Sequence, residues 1–122
     1  MESTRTSVCH ITTVHAWNDI RIFRKECTSL AKLGYDVHLI APVKDRKDFI
    51  ENKVVVHPIA MPANRLERMF RTAKQAVRKA IDINADIYHV HDPELLPAAL
   101  KLRKLGKKVV YDAHENTAAS IY

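Results

Sequence analysis

The stretch whose reading decides the fold is Asp86–Leu105, DIYHVHDPELLPAALKLRKL. Ile87 to Val90 reads as a buried strand, and His91-Asp92-Pro93-Glu94 reads as a turn that leads straight into a helix. Asp92 can accept backbone N–H bonds as an N-cap, and Pro93 suits the first helical position, where no N–H is needed. Pro97 removes a hydrogen bond early in that helix, which predicts a distorted first turn. Gly106 supplies the left-handed residue that ends it. A strand that becomes a helix in this way brings unpaired N–H groups and the positive dipole end to one place. Open α/β sheets hold their ligands there.

Upstream, the same alternation of strand and helix repeats. Ser7 to Thr13 (SVCHITT) is a β-branched run, followed by the loop Val14 to Asp19. From Ile20 the apolar residues Phe23, Cys27, Leu30 and Ala31 follow helical spacing, with Asn18 or Asp19 as cap and Gly34 as stop. Asp36 to Ala41 is a second strand closed by Pro42, and Lys53 to Ile59 a third. Val43 to Asn52, between them, reads as a charged loop with one helical turn around Phe49 and Ile50. Pro62 to Ala85 is the longest predicted helix, with a stripe of Leu66, Met69, Phe70, Ala73, Val77, Ala80 and Ile81 expected to face the sheet. Lys107 to Asp112 is the fifth strand.

Strands alternating with helices imply right-handed crossovers. The expected fold is therefore an α/β, Rossmann-like open parallel sheet of five strands in the order 3-2-1-4-5, with helices on both faces. It occupies residues 1–122 as a single domain. The winding reverses between the first and fourth strands, and three polar strand ends then share the carboxyl edge. They offer His15, Trp17, Asn18, Asp19, His91, Asp92, Glu94, His114 and Glu115. Imidazoles beside carboxylates suit proton transfer or the holding of a sugar hydroxyl or phosphate. Capping alone accounts for Asp92. His114, just past a parallel strand, answers no structural need.

Composition narrows the partners. Hydrophobic residues make up 47%, enough for a core, and the net charge of +6 favours anionic partners. The long helix carries Arg65, Arg68, Arg71, Lys74, Arg78 and Lys79 on its outer face. That face is a solvated surface or a contact with an anionic membrane or a phosphorylated acceptor. No recognition-helix pattern supports nucleic-acid binding. Cys9 and Cys27 lie in apolar-patterned segments and read as reduced thiols. With no signal peptide and no run of ~20 apolar residues, a cytoplasmic protein is expected, with at most peripheral membrane contact. His89 and His91 share a strand face, but a third ligand is not evident at metal spacing, so no metal is expected. Neither G-x-G-x-x-G nor a P-loop is present, which argues against a nicotinamide, flavin or P-loop nucleotide.

Two longer runs resemble a known family. ITTVHAWNDIRIFRKECTSLAKLGYDVHLIAP is similar to the opening of the family 4 glycosyltransferases of the GT-B fold. A bacterial polysaccharide-type branch reads D-x-R-I-F-x-K-E here, matched by Asp19, Arg21, Ile22, Phe23, Lys25 and Glu26. DIYHVHDPELLPAALKLRKLGKKVVYDAHE resembles the same proteins further on. The resemblance implies a retaining, metal-independent transferase of two Rossmann-like domains that uses a nucleotide-sugar donor and a saccharide or lipid-linked acceptor. It implies that this chain is the incomplete, acceptor-side N-terminal domain, inactive alone, with the C-terminal donor domain absent. His114 matches the histidine near the transferred sugar and the donor phosphates. Asn18, Asp19 and Arg21 match the loop facing the cleft, and Asp92 and Glu94 match the junction that meets acceptor hydroxyls. His15, His91 and Glu115 complete the expected acceptor side. The first loop, HAWND, departs from the family's glycine pair. The competing expectation is a non-catalytic Rossmann-like module that binds a phosphorylated or sugar ligand.

Overall fold

The computed structural model describes residues 5–44 and 47–112. Strand β1 is Ser7–Ile11, β2 is Asp36–Pro42, β3 is Phe49–Glu51, β4 is Val54–Ile59, β5 is Ile87–Val90 and β6 is Lys108–Tyr111. Together they form one sheet in the order β3-β4-β2-β1-β5-β6. The pairs β1–β2, β1–β5, β2–β4 and β5–β6 are parallel, whereas β3–β4 is antiparallel. The sheet is thus mixed and six-stranded, which corrects the expected all-parallel sheet of five. The added strand is Phe49–Glu51, read from sequence as a loop with a helical turn. Its hairpin turns through Asn52 and Lys53, both at positive φ (52° and 67°). Such a two-residue turn matches the twist of antiparallel strands.

Between β1 and β5 the winding reverses, with His10 opposite His89 and Ile11 opposite Val90. Alternation along the strands sorts their side chains onto two faces. Cys9, Ile11, Ile40, Tyr88 and Val90 enter one core, and Val37, Leu39, Ala41, Val54 and Val56 the other.

Helix α1 covers the second face with Ile22, Phe23, Cys27 and Ala31. It is widely wound over Ile20–Cys27 and regular over Thr28–Lys32. Asp19 Oδ1 starts it by accepting from the amides of Arg21 and Ile22, each at 2.9 Å. Gly34, at φ 99°, ends it as expected.

Helices α2 and α3 cover the first face. Helix α2 runs without a break through Arg65–Glu67, Arg68–Thr72 and Ala73–Ile83, from an Asn64 cap to Asn84 at φ 54°. Helix α3 opens with a tight turn, Pro93–Leu95, before the regular Leu96–Lys104. The distortion predicted from Pro97 is present.

The face that α2 buries matches the expected stripe at Ala73, Val77 and Ala80 and departs from it at Leu66 and Phe70. Leu66 and Phe70 are 67% and 66% exposed, while Thr72, Ala73, Ala76 and Ala80 lie against the sheet. Tyr88 explains the choice. It is fully buried on β5, and its hydroxyl donates to the Ala80 carbonyl and accepts from the Ala85 amide. Reaching that carbonyl requires the helix backbone to sit close to the sheet, which only small side chains permit. Leu66 and Phe70 are turned away from the sheet, while Val77 and Ile83 still pack against its core.

This packing makes a direct prediction. Ala76→Leu should destabilise the fold by about 1–3 kcal/mol through overpacking. Phe70→Ala should change stability by no more than about 0.5 kcal/mol. Urea unfolding of the two variants checks both, and the reverse ranking would restore the expected stripe.

Candidate functional site

Two polar clusters lie where β1 meets β5, one at the carboxyl edge of the sheet and one on the face under α1. The edge cluster is built on Asp92, which is 3% exposed. Its Oδ2 accepts from the Thr12 hydroxyl at 2.7 Å and from the Thr13 amide at 2.9 Å. Thr12 Oγ1 in turn accepts from the amides of Val14 and His15, at 3.2 and 3.0 Å. The loop after β1 is therefore folded around a carboxylate borrowed from the β5–α3 junction. The expected N-cap role of Asp92's side chain is corrected here, because that side chain makes no capping bond to α3. Only the Asp92 carbonyl serves the turn, accepting from the Leu95 amide.

Glu94 extends the cluster. Its Oε2 accepts from the Thr13 hydroxyl at 2.6 Å and from Arg68 Nε at 2.7 Å. Arg68, expected on the solvated face of the long helix, instead reaches the edge as the cation of an ion pair. His15 stands between two carboxylates, with Nε2 3.5 Å from Asp92 Oδ1 and Nδ1 3.6 Å from Asp19 Oδ2. Beside it opens a cavity of about 460 Å³, lined by Thr13, His15, Asn18, Lys44, Met61 and Arg68 among others. A half-exposed imidazole flanked by anchored carboxylates, facing an open cavity, can accept and donate hydrogen bonds to a polyhydroxylated ligand.

The second cluster has a buried centre, His10 and His91, with Glu26 and His89 partly exposed around it. His10 Nδ1 and His91 Nε2 are 2.9 Å apart, and Glu26 Oε1 from α1 lies 3.7 Å from the first and 3.8 Å from the second. The His89 ring stacks on His91 at 4.4 Å and on His10 at 4.7 Å, and its Nε2 is 3.3 Å from Asp112 Oδ2. Burial, with His89 nearby, lowers the His10 pKa to about 3. Burial also raises Glu26 to about 7, with Asp112 and Asp19 pushing the same way and Arg21 opposing. His10 is thus neutral at neutral pH, and its contact with Glu26 is not an ion pair. Both Glu26 Oε1 and His10 Nε2 are buried without a hydrogen-bond partner among the described residues.

The sequence-predicted residues therefore separate. His15, Asp19, Asp92 and Glu94 are brought together at the edge. Asn18 lies on its rim and Arg21 is exposed at the start of α1. His91 is 1% exposed and faces the buried cluster. Trp17 packs edge-on against Phe23 and Phe49, as part of the core. His114 and Glu115 lie outside the described residues. Sequence reasoning missed Thr12, Thr13 and His10, and it named Arg68 only on the outer face of the long helix and Glu26 only within the family motif. One signal for His10 existed, since alternate positions on adjacent parallel strands put His10, His89 and His91 on one face.

The family model for Glycosyltransferase Family 4 matches residues 20–121. Among solved structures, the chain is similar to sucrose-phosphate synthase from Thermosynechococcus elongatus, with a TM-score of 0.69 at 14% identity. That match covers 91% of this chain and 33% of the synthase, so the chain spans about a third of that protein. At such identity the likeness is one of fold. No curated protein matches the chain.

The edge cluster yields a test of its own. Thr12→Val removes the donor to Asp92 and the acceptor of two amides, so it should cost about 1–3 kcal/mol. Amide exchange at Val14 and His15 should accelerate at the same time. Unchanged protection there, measured by hydrogen exchange, would mean that the loop is held by something else.

Proposed function

The chain belongs to glycosyltransferase family 4, and on that premise we propose that it supplies the acceptor side of a two-domain, nucleotide-sugar-dependent transferase. The observation that carries this reading is the anchored pair Asp92 and Glu94 beside His15, at the sheet edge where the winding reverses. That is the position where open α/β sheets hold ligands. Acceptor hydroxyls would donate to these carboxylates, while His15 adds a group able to donate or accept. Asn18, Asp19 and Arg21 extend the same wall from the start of α1.

In this reading the sugar donor is held by a second domain that follows the chain. The chain's 33% coverage of the synthase is consistent with that arrangement. His114 is assigned to the donor phosphates and transferred sugar by its match to the family histidine, and Glu115 to the acceptor side. The transfer is proposed to be of a hexosyl type to a saccharide or lipid-linked acceptor. The chain alone is proposed to be inactive.

A lipid-linked acceptor would bring the protein to a membrane surface, and α2 supplies features that suit one. Arg65, Arg71, Lys74 and Arg78 are exposed there alongside Leu66 and Phe70. Basic residues flanking exposed apolar ones favour the interface of an anionic bilayer. Among the described residues no helix is long and apolar enough to cross a membrane.

In the enzyme that carries this chain, Glu94→Gln should raise the acceptor KM about tenfold, the equivalent of ~1.4 kcal/mol for one weakened charged hydrogen bond. The donor KM should stay unchanged. His114→Ala should lower kcat by roughly 10²–10³-fold, the scale of losing one donor that stabilises developing charge. Normal turnover in both variants would refute these roles. Sugar binding without any transfer by the whole protein would favour the non-catalytic module.

Vesicle flotation tests the membrane contact. Lys74→Glu with Arg78→Glu should weaken binding to anionic vesicles, by about 1 kcal/mol for each lost positive charge. Equal binding by the parent and the double variant would return that face to solvent.

A further inference from the structure

The acceptor-side reading makes no use of the His10, Glu26, His89 and His91 group under α1, yet its geometry is that of a ligand set. The three closest atoms, His10 Nδ1, His91 Nε2 and Glu26 Oε1, form a triangle with sides of 2.9, 3.7 and 3.8 Å. A triangle with those sides has a circumradius of about 2.0 Å, so a single point lies about 2.0 Å from all three atoms. Zinc bonds to imidazole nitrogen at ~2.0–2.1 Å and to carboxylate oxygen at ~2.0–2.2 Å. Tetrahedral ligands at that length lie about 3.3–3.5 Å from one another, and the observed separations bracket this value.

Three further observations agree. The ligand atoms of all four residues lie within 4.8 Å of one another, so an inward turn of the His89 ring would bring a fourth ligand to the shell. Asp112 sits behind the His89 ring at 3.3 Å, and a carboxylate behind an imidazole is the usual means of orienting a metal-bound histidine. Glu26 Oε1 is enclosed and accepts no hydrogen bond from any described residue. A His10–His91 hydrogen bond would explain the imidazole pair but leave that oxygen unsatisfied. A cation satisfies it.

We propose that His10, Glu26 and His91, with His89 as the fourth ligand, bind a zinc-type divalent cation that pins α1 to β1 and β5. His10 and His91 are buried, His89 and Glu26 are partly exposed, and a set that can be closed at four protein ligands has the make-up of a structural site. All four ligands come from this chain, so the site does not depend on the acceptor-side reading.

Metal uptake by the purified protein tests the proposal without any activity assay. After dialysis against a chelator, Co²⁺ titration should give visible ligand-field bands of four-coordinate intensity at one equivalent. Zn²⁺ should displace them mole for mole and raise Tm. Glu26→Gln and His10→Gln should each weaken Zn²⁺ binding by at least about tenfold, since even outer-shell changes cost ~10–100-fold. His57→Gln, in the separate His38–His57–Asp48 group, should bind like the parent. If a ligand variant fails to fold, the imidazole nitrogen shifts of His10 and His91 in the parent decide instead, and they should move on Zn²⁺ addition. No stoichiometric uptake of either metal at micromolar concentration overturns the proposal. So does undiminished binding in folded Glu26→Gln and His10→Gln, or static His10 and His91 shifts.

Discussion

A carboxylate that is almost wholly buried must have its charge met by donors, and the donors Asp92 uses are the hydroxyl of Thr12 and the amide of Thr13. This choice ties the end of β1 to the end of β5 at the one place where the sheet reverses direction. The loop after β1 then has little freedom, because Thr12 also accepts from the amides of Val14 and His15. His15 is held within reach of both Asp92 and Asp19 as a consequence, and Glu94 is drawn to the same point by Thr13 and Arg68. Had Asp92 capped its own helix, the two strand ends would share an edge without being bonded through these side chains. The crevice is therefore made by a side chain crossing between elements, and the helix dipole there is left available to a ligand.

The helix above the other face obeys a different constraint, that of distance. Tyr88 needs a partner for its buried hydroxyl, and the Ala80 carbonyl supplies one only when α2 lies close to the sheet. Ala73, Ala76 and Ala80 permit that approach, and the cost is exposure of Leu66 and Phe70. Phe70 joins Met69 and Val77 along a groove of about 480 Å³ between α2 and α3. The same rotation carries Arg68 toward Glu94, so the packing of α2 and the polarity of the edge are set together.

Much of the fold was legible because strands and helices of opposite periodicity alternate from Ser7 to Tyr111, and Gly34 and Gly106 mark two helix ends. The edge strand Phe49–Glu51 was not, because a three-residue strand beside a charged segment has too few positions to show alternation. Its best signal was the Asn52–Lys53 turn, a weak one without glycine. The α2 face is legible at Ala73, Val77 and Ala80 and not at Leu66 and Phe70, because a buried tyrosine hydroxyl rewards small neighbours over large apolar ones. In the site, residue types were readable and directions were not. His91 and Asp92 are consecutive, yet one turns to the buried face and the other to the edge loop, as the pleat requires. Thr12 and Thr13 carry no chemical signature in a sequence, since their role exists only once Asp92 and Glu94 are opposite them.

Helix α1 links the two clusters. Asp19 caps it and lies beside His15 at the edge, while Glu26 further along points into the imidazoles on the face. His10 and His91 flank the β1–β5 pairing immediately below Thr12 and Asp92. A cation joining Glu26 to both histidines would fix α1 against the two strands whose ends form the crevice. It would thereby fix the direction from which Asp19 approaches His15. Without that link, Glu26 is a partly buried carboxyl pushed up to about 7, chiefly by burial, on a helix whose Ile22, Phe23 and Cys27 pack on the sheet. The geometry of the edge cluster then depends on how firmly Ile22, Phe23 and Cys27 seat the helix. A metal set back from the edge would make that seating a matter of coordination, with rigidity transmitted to the crevice through α1.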